Sequence, residues 1–362
     1  MPSSDTPMLF QPYTIRGLTL KNRIVVSPMC TYSSKDGFAN LWHVQHIGSR
    51  VVGGAGLFIV EASAVSEIGR ITPHCLGIYK DEHVEMLKQI TDLAHEQGGH
   101  IGIQLAHSGR KGSTRALWEA LGRTALSDEE GGWEVVGPSP IAFDESHRVP
   151  RELTEDEVEE LIEDFVAAAK RAVLAGFDVI EIHAAHGYMI NSFLSPTSNK
   201  RKDKFGGSFE NRIRILTEIV SRVRSCIPET MPLFVRISCD EYVSDGWDIE
   251  DSVRLAEILK DLGVDIIDCS SGGNSSRLLS QALMAFPMYQ VKYAERVRQV
   301  MPVAAVGKIT EPVQANQILT EGKADLVFIG RKDLGDPYWP IRAAKELGYD
   351  IPIPPQYKFG VF

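Results

Sequence analysis

"AGFDVIEIH" at 175–183, "LGVDIIDCS" at 262–270 and "GKADLVFIG" at 322–330 repeat one pattern: the end of a helical segment, a turn, and a short apolar run. Continuous apolarity over a few residues, without strict alternation, fits a strand buried on both faces of a parallel sheet. Five further runs have the same character: "RIVVSPM" from Arg23, "GLFIVEASAV" from Gly56, "HIGIQLAH" from His100, "LFVRIS" from Leu233 and "PVAAVGKI" from Pro302.

Amphipathic segments alternate with these runs, among them "DEHVEMLKQITDLAHEQ", "TEDEVEELIEDFVAAAKRAVLAG", "NRIRILTEIVSRV" and "DIEDSVRLAEILKDLG". Thr154 and Glu157 form a capping box at the start of the second. About eight strands, each followed by helix, predict an α/β chain folded as a (β/α)8 TIM barrel. A doubly wound sheet would want a glycine-rich strand-to-helix turn, whereas "VVGGAGLFIV" has its glycines before a strand. No composition break divides the chain, so residues 1–362 are expected to form a single domain. Two long connections, 108–153 after strand three and 187–210 after strand four, follow strand C-termini and are expected over the top of the barrel, where the chemistry of this fold sits.

The bulk numbers narrow the partners. The 362 residues are 43% hydrophobic, and 38 Lys and Arg against 48 Asp and Glu leave a net charge of −10. Without a long basic cluster, nucleic acid is excluded as a partner. Cys30, Cys75, Cys226, Cys239 and Cys269 are odd in number and include no C-x-x-C pair, which reads as a reducing cytoplasm. The opening "MPSSDTPMLF" has no basic and then apolar leader pattern, and no window reaches the ~20 apolar residues of a membrane helix. A soluble, cytoplasmic protein is expected.

Polar residues at strand ends carry the chemistry. Arg236 in "LFVRIS" is a cation in an apolar strand and needs an anionic or carbonyl-rich partner, either a ligand or a structural carboxylate such as Asp240. Gln104 suits a heterocycle that offers donors and acceptors. Gly307 with Lys308 and Gly330 with Arg331 end strands seven and eight, the usual phosphate site of barrels. Cys30 and Tyr32 close strand one in "SPMCTY". After strand four, "EIHAAHGYMINSFLSP" brings His183, His186 and Tyr188 together. Metal binding would want more His or carboxylate ligands at other strand ends, so no metal is expected. Two imidazole N–H donors aimed at one point would clamp a carbonyl oxygen, and a nearby phenol could deliver a proton.

"SPMCTY", "IVEASAV", "QLAHSGRK", "EIHAAHGYMINSFLSPTSNKRKDKFGGSFENR" and "FIGR", in this order, resemble the old yellow enzyme family of FMN-dependent ene-reductases, closest to its bacterial thermophilic-like subgroup. The resemblance spans nearly the whole chain. It implies tightly bound, non-covalent FMN lined by Ser27, Pro28, Met29 and Cys30, with Ala62 and Gln104 at the ring. It places Arg236 by the N1 and C2 carbonyl region and Gly307, Gly330 and Arg331 at the phosphate. NADPH, or NADH, would act as transient hydride donor. The substrate would be an α,β-unsaturated carbonyl compound such as an enone or maleimide, or a nitroalkene. His183 and His186 would bind its oxygen, Tyr188 would protonate the α-carbon, and Cys30 and Tyr32 would contact it. The resemblance also implies a homo-oligomer, dimer or tetramer. In some subgroup members a C-terminal arginine reaches the neighbouring subunit's site; in "PPQYKFGVF" Tyr357 matches the pattern, Phe359 stands in that arginine's place, and Lys358 is adjacent. The competing readings are an FMN-dependent nitro-compound or nitrate-ester reductase, a flavin-binding redox sensor or store, and, outside flavin chemistry, a metal-dependent barrel hydrolase.

Overall fold

The computed structural model describes residues 6–119, 123–276 and 286–360. Eight parallel strands close into a barrel: β1 (Ile24–Val26), β2 (Leu57–Ala64), β3 (Ile101–Ala106), β4 (Val179–Ala184), β5 (Leu233–Ser238), β6 (Ile266–Ser270), β7 (Val303–Ala305) and β8 (Leu326–Ile329), which pairs back to β1. A helix follows each: α1 (Leu41–Val52), α2 (His83–Glu96), α3 (Glu155–Leu174), α4 (Phe209–Cys226), α5 (Ile249–Asp261), α6 (Val291–Val297), α7 (Pro312–Thr320) and α8 (Trp339–Glu346). Every strand lies inside one of the apolar runs read from the sequence, and every strand residue is buried.

The three similar junctions share a physical cause. Asp178 donates its backbone N–H to Ile101 O at 2.8 Å, and its carboxylate accepts the Ile101 N–H at 2.8 Å. Asp265 clasps Leu233 in the same way, at 2.8 and 2.8 Å, and Asp325 clasps Val303 at 2.9 and 3.0 Å. Each aspartate therefore pins the first residues of the preceding strand and sets the register on which the barrel closes. The Thr154–Glu157 capping box is present, with Thr154 Oγ1 accepting from Glu157 N at 3.2 Å and Glu157 Oε2 from Thr154 N at 2.8 Å.

Apolar packing divides in two. The larger core fills the space between strands and helices with residues such as Phe165, Val220 and Leu255. The smaller one fills the barrel interior with Leu57, Ile59, Val179, Phe234, Ile266 and Leu326. Ile15 and Leu20 of a hairpin, Tyr13–Ile15 with Leu18–Leu20, join that interior core. Further along the strands the inward positions become polar: Glu61, Gln104, Glu181, Arg236 and Asp268 are all buried. An interior that is oily at one end and charged at the other gives the molecule its working end.

The two long connections hold each other. Arg201, at 5% exposure, donates to Leu153 O at 2.5 Å and Pro138 O at 3.3 Å, and pairs with Asp203. Val136–Gly137 pairs in parallel with Arg151–Glu152, and Thr114 bridges Ala125. No helix among the described residues is long and apolar enough to cross a membrane, and all five cysteines are free thiols.

Candidate active site

A cavity of about 590 Å³ opens at the strand C-termini, a size suited to a small-molecule or cofactor site. Ser27, Pro28, Met29, Cys30 and Tyr32 line it after β1, Ala62 from β2, Gln104 from β3 and His183 from β4. His186 and Tyr188 follow β4, Arg236 comes from β5, and Gly307, Gly330 and Arg331 follow β7 and β8. The structure thus brings together the strand-end residues singled out in the sequence. Lys308, Lys332, Arg123, Ser270, Gln290, Leu117 and Trp118 line it as well. Among the described residues no carboxylate lines the cavity, so a protein of net charge −10 presents a cationic cleft. Tyr32, His186 and Lys308 have φ of 44°, 61° and 49°, a left-handed backbone that costs a side-chain-bearing residue on the order of 1–2 kcal/mol. Three of the site's side chains are aimed by backbone that the surroundings must hold in place.

The histidines form an oriented chain. His183 Nδ1 accepts the Ala185 N–H at 3.2 Å, which assigns the ring proton to Nε2. That Nε2 lies 3.4 Å from His186 Nδ1, and His186 Nε2 lies 2.6 Å from Ser270 Oγ. Burial, with Arg236 and Lys111 nearby, holds both imidazoles well below the usual histidine range, so both are neutral. Buried Lys111 donates to His186 O and Gly273 O, both at 2.8 Å, and fixes the turn that carries His186. Burial pulls its ammonium down to about 7. At that turn two backbones touch. A Cβ on Gly187 (φ +74°) would lie 2.2 Å from Gly273 O, and one on Gly273 (φ +88°) 2.6 Å from His186 Cα.

Arg236 corrects one expectation. Its carboxylate neighbour is Asp268 of β6, 2.9 Å from Nε and in register with it, whereas Asp240 accepts from Tyr242 N and Tyr293 Oη. The contact is off the line of the N–H, and neither oxygen of Asp268 has a hydrogen-bond partner among the described residues. Glu181, also fully buried, accepts from Gln104 Nε2 at 2.7 Å and leaves its other oxygen unpartnered among the described residues. Burial pushes both carboxyls up. Charged residues inside "DVIEIH" and "DIIDCS" carried the same signal as Arg236 and could have been found by it.

At the other flank, Arg123 donates from Nη1 to Tyr188 Oη at 3.1 Å and from Nη2 to Tyr32 Oη at 2.9 Å. Arg123 lies on the 108–153 connection, where no periodicity marks a residue, and sequence reasoning missed it. Burial raises Tyr188 above the usual phenol range and pushes the Cys30 thiol up, so both stay protonated near neutral pH. The tail residues Tyr357 and Phe359 lie outside the cavity lining; Tyr357 packs on Tyr338, ring centroids 5.8 Å apart, and Phe359 is 95% exposed.

The model of the NADH:flavin oxidoreductase / NADH oxidase family matches residues 8–350. The chain belongs to that family. It is 49% identical over 357 residues to an NADPH dehydrogenase of a Geobacillus species (strain WCH70), covering 98% of each chain. Among solved structures it is similar to an old yellow enzyme homologue of Zymomonas mobilis, with TM-score 0.77 and 28% identity over 98% of this chain and all of that one. Morphinone reductase in complex with tetrahydroNAD is also similar, with TM-score 0.76 and 27% identity over 97% of this chain and 94% of that one. The old yellow enzyme resemblance read from the sequence therefore holds, and the protein is an FMN-dependent oxidoreductase of this family.

The residues present fit FMN. Gly330 lacks a side chain where an added Cβ would meet nothing closer than Met29 Sδ at 3.6 Å, which leaves room for a phosphate beside Lys308 and Arg331. Arg236 is a buried cation that lines the cavity, suited to a ring system that gains negative charge on reduction.

Proposed function

We propose that this flavin enzyme reduces the activated C=C bond of α,β-unsaturated carbonyl compounds, with NADPH or NADH as reductant. The observation that carries the reading is the His183–His186–Tyr188 cluster, in which each of the other two rings stands 5.1 Å from the His183 ring inside the cationic cavity. Hydride transfer from the nicotinamide to the substrate's β-carbon is the chemistry that bound FMN would supply.

The chain's own residues do the rest. A carbonyl oxygen between His183 Nε2 and His186 Nδ1 needs a proton on both nitrogens. Ser270 provides for this: its hydroxyl can turn to donate to His186 Nε2, and the imidazole proton then resides on Nδ1. Because both rings are neutral, they donate hydrogen bonds without giving up a proton, and they draw electron density from the double bond. Tyr188 remains a phenol until the α-carbon becomes basic, and then transfers its Oη proton there. Gly307, Gly330, Lys308 and Arg331 would hold the FMN phosphate, Gln104 and Arg236 the ring, and Cys30 and Tyr32 would touch the substrate. The similarity to NADPH dehydrogenases supports NADPH as donor. Five free thiols support a cytoplasmic setting, and exposed Leu41 and Trp42 on α1 support a homo-oligomer.

An anaerobic screen tests the reading. The FMN-loaded protein is bleached with NADPH and then offered enones, maleimides, nitroalkenes and nitroaromatics. Recovery of colour with saturated product from enones is expected; recovery with nitroaromatics alone would replace the proposal by nitro-group reduction.

A further inference from the structure

We propose that Arg123 is the positioning residue for Tyr188: it holds the phenol oxygen as an acceptor, turns the phenol's single hydrogen toward the cavity, and stabilises the phenolate left when that hydrogen has gone to the α-carbon. The inference rests on the reading of Tyr188 as the acid.

A guanidinium can only donate hydrogen bonds. With Nη1 on Tyr188 Oη at 3.1 Å and Nη2 on Tyr32 Oη at 2.9 Å, both phenol oxygens accept from Arg123. Neither hydroxyl hydrogen can then point at the guanidinium, and both are left to other partners. The planar fork spans two rings, which a point-charge ammonium cannot do with the same geometry. The arginine's place is secured next door, where Arg115 donates to Thr124 Oγ1 at 3.0 Å and Ala125 O at 2.7 Å.

Arg123 also differs from its charged neighbours. Arg236 has Asp268 beside it, and Lys308, Arg331 and Lys332 line the end assigned to phosphate. Among the described residues no carboxylate comes within ion-pairing distance of Arg123, and its Nε is buried without a partner. A partly desolvated cation of this kind needs a compensating anion. The anion within reach is one that turnover creates. The Tyr188 O–H bond breaks, the new C–H bond forms at the α-carbon, and the electron pair stays on the phenol oxygen 3.1 Å from Nη1. The phenolate then regains a proton from water before the next cycle.

Stopped-flow half-reactions on the FMN-loaded protein provide the test, using Arg123→Met, Arg123→Lys, Tyr188→Phe and the Arg123→Met/Tyr188→Phe double variant. Arg123→Met should slow reoxidation by a weakly activated enone about 10- to 100-fold, the weight of one charge-assisted hydrogen bond. It should leave flavin reduction by NADPH within about twofold, and Arg123→Lys should recover part of the loss by restoring the charge. Nitroalkene reoxidation should be spared, because the nitronate product is stable without immediate protonation. In the Tyr188→Phe background the Arg123→Met effect should vanish, since the two residues act as one unit. If Tyr188→Phe slows the enone but Arg123→Met does not, or if Arg123→Met costs as much without the phenol as with it, the inference fails. Equal slowing of enone and nitroalkene by Arg123→Met would make the arginine a substrate-binding group and overturn it too. If Tyr188→Phe itself leaves enone reoxidation unchanged, the underlying reading of the acid is what fails.

Discussion

The cavity has two unlike walls. One is rooted in the barrel: Gln104, His183, Arg236 and Ser270 stand on strands, and the first three are braced by Glu181, the Ala185 amide and Asp268. The other is carried by residues 108–153, which contribute Leu117, Trp118 and Arg123; Leu117 and Trp118 are 59% and 65% exposed. Side chains on packed strands cannot move without disturbing a core, whereas side chains on a connection can be exchanged singly. The difference teaches that the rooted wall sets which bond is reduced, whereas the carried wall, apart from Arg123 and its hold on Tyr188, sets which molecule brings it.

The largest test of that division is Tyr188→Phe, whose phenol hangs from the rooted wall. Loss of one positioned acid should slow enone reoxidation by ~10²–10⁴-fold in single-turnover absorbance traces and leave nitroalkenes almost untouched. If every substrate class slowed alike, the rooted wall would be binding substrate and not protonating it.

Acid should injure the rooted wall next. His183 and His186, with His107, His43 and His46 at about 4, are held below the usual histidine range, in each case first by burial. Their folded values lie below the unfolded 6.5, so the stability they confer is fully present above pH 6.5 and is lost as pH falls toward 4. Each group can contribute a slope of up to ~1.4 kcal/mol per pH unit within that window. Urea midpoints measured from pH 8 to 4 should therefore drop steeply below 6.5. A flat profile would mean that these imidazoles gain protons without unfolding.

Arg236→Met should lower the flavin reduction potential by on the order of 30–60 mV, one to two decades of a two-electron equilibrium, and weaken FMN retention. Asp268→Asn should move the potential the other way by freeing the same cation. Unchanged potentials in both variants would reduce the pair to a structural contact. The smallest effect belongs to the carried wall. Trp118 lies tilted against Tyr32, ring centroids 5.3 Å apart, and Trp118→Ala should raise KM for aryl enones by roughly 2- to 10-fold, with little change for small ones. A uniform loss across substrates would erase the distinction between the walls.

What could be read in the sequence follows the same line. The strands were legible because each is buried on both faces and so writes itself as an apolar run. The hairpin of Tyr13–Ile15 and Leu18–Leu20 was not, because three-residue strands are too short for a period to show. Strand-end residues from Ser27 to Arg331 were legible because barrel geometry dictates where strand ends converge. Asp240, four positions along the chain, was the carboxylate offered as an alternative partner for Arg236; Asp268 is its neighbour across the sheet, and linear order hides that adjacency. Arg201, within the motif block that most strongly marked the family, serves to tether the 108–153 connection. Arg123 left no trace, since its role depends on how an aperiodic segment folds back over two phenols.

The contact between Gly187 and Gly273 reaches beyond geometry. A descendant of this gene can exchange exposed lining residues such as Leu117 and Trp118 one at a time and sample new substrates as it goes. It cannot do the same with the turns after β4 and β6. With 2.2 Å between a hypothetical methyl at Gly187 and the Gly273 carbonyl, a change in either turn displaces the other, and His186 with it. The two turns are therefore inherited as a single locus, and a library that varies one must hold or vary both.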